Sequence, residues 1–432
     1  MFILLHAWFI NTSAIILAYI SHGAAICYTR DMMEIKIANH RKVWLFIGIG
    51  AVVAAAVTVV LLLFVFRVNQ PPTQSQDPSN APVAPVVVDN VVHIAAMGDM
   101  LAHDTIIANA KAGDGYDFAK FFANIRPSYQ NADVIFCNQE GLVSGEEYGI
   151  SGYPSFNAPV KFAADLQSGA GCNVINMANN HIGDKGVAAT NVTIDNWAAL
   201  KPLAMSGANK SAVDQENVSF ATVKGIKVGF VAFTDFNNNA NTPDYSVNNY
   251  HDTALVRRLV TVARQNADLV MVSMHWGVED SNIVSADQRQ QVDLLSSLGA
   301  DVVFGTGPHV LQPFQSIDRP DGGKTFVWYS LGNMLSSQFY IHQLIGGIAQ
   351  FDVTKPSTGP VSITSMSFTP TYMHYEWTAA QAASDDLLAR KNAMIYLLDT
   401  ATEPLSRSLF NTTVAEQKQY VTDTLGSEVV IK

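Results

Sequence analysis

The sequence predicts an α/β domain with much parallel sheet, preceded by a membrane-spanning helix. Three observations carry this. From Val91 onward, short apolar, β-branched runs alternate with amphipathic stretches, as strands and crossover helices do. Residues 43–66 read VWLFIGIGAVVAAAVTVVLLLFVF, 24 residues without a charge, whereas a helix crossing a bilayer core needs about 20. Finally, 48% of the 432 residues are apolar and 15% are charged, which excludes a disordered chain or a coiled coil.

In chain order, residues 1–42 come first. Positions 1–28 are apolar but interrupted by His6, Asn11 and His22, and two readings stay open: a second hydrophobic helix, or translation that begins at Met32 or Met33. Arg30, Lys36, Arg41 and Lys42 precede the 43–66 span and Arg67 alone follows it closely, so the N-terminal flank is expected in the cytoplasm and the rest outside. The chain is then a cell-membrane protein, single-pass or two-pass. Residues 67–90 form a linker with Pro71, Pro72, Pro78, Pro82 and Pro85. Pro-rich chain extends at about 3.1 Å per residue, so the Pro-rich stretch at 69–86 reaches roughly 50 Å.

The folded domain is expected over residues 91–375, with strands at 91–97, 133–138, 173–178, 227–233, 268–274, 301–306 and 325–331. Apolar residues at 255, 256, 259, 260, 262 and 263 give Asp252–Asn266 helical spacing. Ser285 and Gln288 form a capping box for the next helix. Residues 376–432 read as a polar, C-terminal helical cap. Cys137 and Cys172 read as buried thiols that act as small apolar side chains.

The chemistry collects at strand ends, where open α/β sheets place their sites. The first strand runs into Gly98, Asp99 and His103, and the second ends at Glu140. The third is followed by Asn180, His181 and Asp184, the fifth by His275, and the sixth by Gly305, Gly307, Pro308 and His309. Asp99, His103, Glu140, Asn180, His275 and His309 are candidate metal ligands. A set mixing carboxylate, amide and imidazole suits manganese, zinc or iron, whereas magnesium and calcium prefer oxygen alone. His181 can protonate a leaving oxygen while Asp184 orients its ring. One or two such divalent ions would activate water and clamp a phosphoryl group. The net charge of −11 argues against a nucleic-acid partner. The chain has no GxSxG elbow, P-loop or dinucleotide fingerprint, so serine hydrolase, nucleotide triphosphatase and dehydrogenase lack their defining residues.

The motifs GDMLAHDTI (98–106), NQEG (138–141), GYPSFNAP (152–159), NMANNHIGDKG (176–186), MHWGVE (274–279), GTGPHVLQP (305–313) and YSLGNM (329–334) occur in this order. This series resembles the CapA family of poly-γ-glutamate capsule synthesis proteins, a branch of the calcineurin-like metallophosphoesterase superfamily. The resemblance implies a sandwich of two mixed β-sheets flanked by helices. It also implies a dimetal site in which Asp99, Glu140, Asn180, His275 and His309 match ligand positions and His181 matches the catalytic imidazole. His103, four residues after Asp99, is an addition to that set. Gly307 departs from the family pattern, which has a histidine there, and this weakens the case for a second ion. Tyr153, Phe156 and Asn157 lie in a stretch resembling a substrate-facing loop. The implied role is a membrane-anchored extracytoplasmic hydrolase in the synthesis, release or export of an anionic capsule or envelope polymer, working with other capsule synthesis or export membrane proteins. The alternative is a noncatalytic binding component of a polymer-export complex.

Overall fold

The computed structural model describes residues 90–432. The 1–42 segment, the 43–66 span and the linker to residue 89 lie outside the described residues. Among the described residues, no helix is long and apolar enough to cross a membrane. The strands are β1 (Val91–Leu101), β2 (Lys111–Ala112), β3 (Gly115–Tyr116), β4 (Val134–Glu140), β5 (Val174–Asn176), β6 (Ala204–Ser206), β7 (Ser219–Val223), β8 (Ile226–Thr234), β9 (Leu269–His275), β10 (Val302–Thr306), β11 (Leu311–Asp318), β12 (Lys324–Leu331), β13 (Asn333–Leu335), β14 (Ile345–Thr354), β15 (Ser362–Glu376), β16 (Lys391–Leu397) and β17 (Val430–Ile431).

All but β2 and β3, which pair with each other, form two mixed sheets. One has the order β16-β15-β14-β1-β4-β5-β6, with β13 beside β1 and β17 beside β15; the other has the order β11-β12-β10-β9-β8-β7. Alternation along β8, β9 and β10 packs the sheets together. Phe230, Ala232, Leu269, Met271, Val302 and Phe304 join the first sheet's core, where Phe136 stacks on Phe304 with centroids 4.6 Å apart. Val231, Phe233, Val270, Val272, Met274 and Val303 point the other way, into a second cluster. Being buried on both faces is why these strands read as continuous apolar runs.

That second cluster is completed by a helix at Thr253–Asn266, which buries Leu255, Val256, Leu259, Val260 and Ala263 and is capped by Asp252, whose carboxylate accepts from Leu255 N at 2.9 Å. The next helix, Ala286–Ser297, opens on the expected capping box, with Gln288 N donating to Ser285 Oγ at 3.1 Å and Ser285 N to Gln288 Oε1 at 2.9 Å.

Two expectations need correction. Residues 376–432 are not simply a helical cap: besides a helix at Val414–Leu425 they supply β16 and β17, both paired with β15 in the first sheet. Cys137 and Cys172 are not free thiols but a disulfide, with Cα atoms 5.7 Å apart. It ties β4 to the segment entering β5, two neighbours in the sheet.

Topology then assembles the site. β1, β4 and β5 run parallel in one sheet and β9 and β10 in the other. Register sets Asp99 beside Asn138, Leu101 beside Glu140, and Thr306 beside His275. The irregularity at Gly98 is a close approach of backbone to backbone: a Cβ there would lie 1.8 Å from Gly332 O. Asp99 N donates to that same oxygen at 3.1 Å.

Candidate metal centre

Asp99, Glu140, His275 and His309 meet in a buried cluster at these strand ends. One ligand atom from each of Asp99, Glu140 and His275 lies within 4.8 Å of the others. His309 bridges the two carboxylates, with Nδ1 at 3.1 Å from Asp99 Oδ2 and Nε2 at 3.7 Å from Glu140 Oε1. His275 Nε2 is 3.9 Å from the same Glu140 oxygen and 3.0 Å from Asn180 Oδ1.

Glu140 decides what this cluster is for. Its side chain is 0% exposed, and neither carboxylate oxygen has a hydrogen-bond partner. A buried carboxylate without compensation costs several kcal/mol, on the order of the penalty for an unpaired ion. The oxygen-and-imidazole donors around it are those of a borderline divalent cation, so the residues present fit one.

Electrostatics agree with the geometry. Burial pushes the Glu140 carboxyl well above its ordinary range; His309 opposes this, and Asp99, Glu279 and Asp184 add to it. Burial would lower His309, yet Glu140 and Asp99 carry it up to about 10. For Asp99, burial is outweighed by His309, His275 and Asn138, and its carboxyl falls below the ordinary value. His275 is pushed by burial down to about 3, which leaves it the neutral imidazole that ligation requires.

Neutral groups that carried no role in the sequence reading aim these side chains. Asn138 Nδ2 donates to Asp99 Oδ1 at 2.6 Å, and Asn176 Nδ2 donates to Asn138 Oδ1 at 2.9 Å. Thr306 Oγ1 is 3.0 Å from His275 Nδ1. Asn333 Oδ1 is 3.0 Å from His309 Nδ1, so that nitrogen faces two acceptors and Nε2 is left to face Glu140. Asn138, Asn176, Thr306 and Asn333 all sit within the motifs, which is the one cue the sequence holds for them.

Gly307 has its own reason to be glycine. Its φ is +105°, and a Cβ would come within 2.8 Å of Trp276 O and 3.3 Å of His275 Nε2. In place of an imidazole, its N–H donates to Asp99 Oδ2 at 3.3 Å.

His181 stands beside the cluster with Asp184. Asp184 Oδ2 lies 2.8 Å from His181 Nδ1 and accepts from Phe156 N at 2.7 Å. Asn238, from a loop the sequence left unassigned, adds an amide 3.2 Å from the same Nδ1. Phe156 is buried with its ring edge-on to His181 at 4.6 Å and to His103 at 5.2 Å. His103 lies apart from the cluster that could hold an ion: its Nδ1 accepts from Ser337 N at 3.4 Å, and burial lowers its pKa to about 3. Tyr153 is exposed at the loop's tip. Asn157 does not face a substrate. It is fully buried, accepts from Ser144 N and Oγ at 3.0 and 2.7 Å, and donates to Gly145 O and Gly149 O at 2.9 and 3.0 Å.

Known proteins share much of this chain. PGA biosynthesis protein CapA of Bacillus subtilis is 26% identical over 312 residues, 69% of this chain and 76% of that protein. Capsule biosynthesis protein CapA of Bacillus anthracis is 26% identical over 257 residues, 57% of this chain and 61% of that one. Among solved structures, Haemophilus influenzae NAD nucleotidase (NadN) is similar with a TM-score of 0.40 and 13% identity, covering 77% of this chain and 59% of its own. The family described as bacterial capsule synthesis protein PGA_cap matches residues 93–338, more than half of the chain, including Asp99, Glu140, His181, His275 and His309. The chain belongs to the bacterial capsule synthesis protein PGA_cap family.

Proposed function

We propose that this protein is a membrane-anchored, extracytoplasmic, metal-dependent phosphoesterase that acts in the synthesis, release or export of a capsule or envelope polymer. The observation that carries this reading is Glu140, a buried carboxylate with both oxygens unpaired between two imidazoles. A manganese, zinc or iron ion held by Asp99, Glu140, Asn180, His275 and His309 would supply an activated water and positive charge for a phosphoryl group.

The chain's own residues supply the proton. Asp184 keeps the Nδ1 proton of His181 at 2.8 Å and leaves Nε2, which has no partner among the described residues, to donate to a leaving oxygen. Asp184 also holds the charge of the imidazolium before that transfer. Phe156, edge-on to the ring and fixed through its own N–H to Asp184, keeps water from the inner side of His181.

The apolar 43–66 span and the Pro-rich linker support an anchored location. So does the Cys137–Cys172 disulfide, since such bonds persist in oxidising compartments outside the cytoplasm. Family membership supports the capsule role and partners among the membrane proteins of capsule synthesis or export. Gly307 favours a second reading, a noncatalytic polymer-binding component, because the space for one further imidazole is closed.

The test is hydrolysis of phosphomonoesters and phosphodiesters by the full chain in detergent with added manganese, zinc or iron, beside His181→Ala. Metal-dependent turnover that falls at least a hundredfold in the variant is expected. Metal-loaded, folded protein without turnover overturns the catalytic reading and leaves the binding one.

A further inference from the structure

Among the described residues, four aromatic side chains stand out as large exposed apolar groups: Tyr153 at 72%, Phe236 at 50%, Phe339 at 46% and Tyr340 at 66%. All four lie on loops that touch His103 or His181. Tyr153 packs 6.4 Å from Phe156, the ring against both histidines. Phe236 begins the loop whose Asn238 donates through its N–H to Asn180 O at 2.8 Å and sits beside His181. Phe339 and Tyr340 follow Ser337, whose N–H reaches His103. Exposed aromatics gathered on loops that meet at the same two histidines mark a binding surface, whereas scattered ones need no explanation.

Charge narrows the occupant. Loops 141–160, 235–251 and 276–285 carry six carboxylates and no lysine or arginine. The cations on the loops after the parallel strands of this edge are Lys185 in 177–186 and Lys210 after β6, and Lys210 is paired with Asp195. Arg390 is buried behind Phe339, with its guanidinium 5.2 Å from that ring and its donors on the carbonyls of Leu387 and Ser337. A strand of free carboxylates would meet like charge at this mouth. A sugar ring would not: its C–H face stacks on aromatic rings, and its hydroxyls donate to carboxylates such as the exposed Glu279.

We propose that the mouth is a sugar-binding surface, so that the phosphoester taken is one borne on a neutral glycan and not on a polyglutamate chain. This specificity rests on the phosphoesterase reading; the glycan contact itself does not.

The experiment titrates the full chain in detergent and EDTA with cellohexaose and with chitohexaose, both uncharged and free of phosphate, by calorimetry. Saturable binding is expected, weakened at least tenfold in Tyr340→Ala and in Phe236→Ala at unchanged melting temperature, and not displaced by poly-γ-glutamate at physiological salt. Saturation-transfer NMR on the unaltered chain gives a readout that needs no variant, with transfer onto the sugar C–H protons. No saturable binding of either oligosaccharide, displacement by polyglutamate, or equal binding by both variants overturns the proposal. Cleavage of phosphoesters without glycan binding would remove this inference alone. Glycan binding without cleavage would remove the phosphoesterase and keep the surface.

Discussion

Glu140→Gln keeps the shape of the side chain and removes the charge that an ion would compensate. In the unaltered protein, a divalent ion at a thousandfold excess over its Kd stabilises the folded state by about 4 kcal/mol. Unfolding roughly 340 described residues releases about 0.7 kcal/mol per kelvin of entropy near the midpoint, at about 2.1 cal/mol/K per residue. The melting temperature should therefore rise by about 6 °C when manganese or zinc is added to EDTA-treated protein. In Glu140→Gln the rise should fall below about 1 °C, because Asp99, His275 and His309 would have to hold the ion without their central carboxylate. Scanning calorimetry with and without metal, on both proteins, reads this directly. An equal metal-induced rise in the variant would mean that Glu140 does not hold the ion.

Three further outcomes follow from the same geometry. Asp184→Asn should keep the metal-induced rise but lower phosphoester turnover by about 10²–10⁴, since an amide no longer fixes the His181 tautomer; kcat and metal content measured on one sample separate the two effects. Asn157→Ala leaves the Ser144 N–H and the Gly149 carbonyl unpaired inside the 142–157 loop, while Gly145 O keeps the Tyr148 N–H, and should cost about 2–4 kcal/mol of stability with the metal response intact, as denaturant unfolding would show. The pH dependence has a fixed sign. His309 binds its proton up to about 10 when folded, against an ordinary 6.5, so its stabilisation of metal-free protein is complete below about 6.5 and is lost as pH rises through about 10. Glu140, raised by burial, acts in the same direction. Metal-free protein should therefore melt lower as pH goes from 7 to 10, while metal binds more tightly and expels protons, which calorimetry in buffers of different ionisation enthalpy detects.

The seven strands were legible because their residues are buried on both faces, which leaves an apolar, β-branched run bounded by Gly, Asn and Asp. The cluster was legible because Asp99, Glu140, His275 and His309 are charged or titratable groups at strand ends, where burial is costly without a purpose. Asn138, Thr306 and Asn333 were not, because a neutral amide or hydroxyl gains meaning only from its partner, and Asn138 lies 137 residues from His275. Asn157 misled for the same reason: an asparagine in a loop reads alike whether it faces solvent or braces the turn from inside. Strand β16, KNAMIYL, begins with two exposed polar residues and alternates weakly, so it read as part of a helical tail until β15 offered it an edge. The close approach of Gly98 to the carbonyl of Gly332 was not legible, because no local pattern indicates a partner more than 200 residues away.

The central claim is that the Asp99, Glu140, His275 and His309 cluster is a metal centre. Elemental analysis of the purified full chain, exchanged into metal-free buffer and then offered manganese, zinc or iron before gel filtration, tests it most directly. At least one such ion should be retained per chain. Folded protein that retains none after that exposure would contradict it.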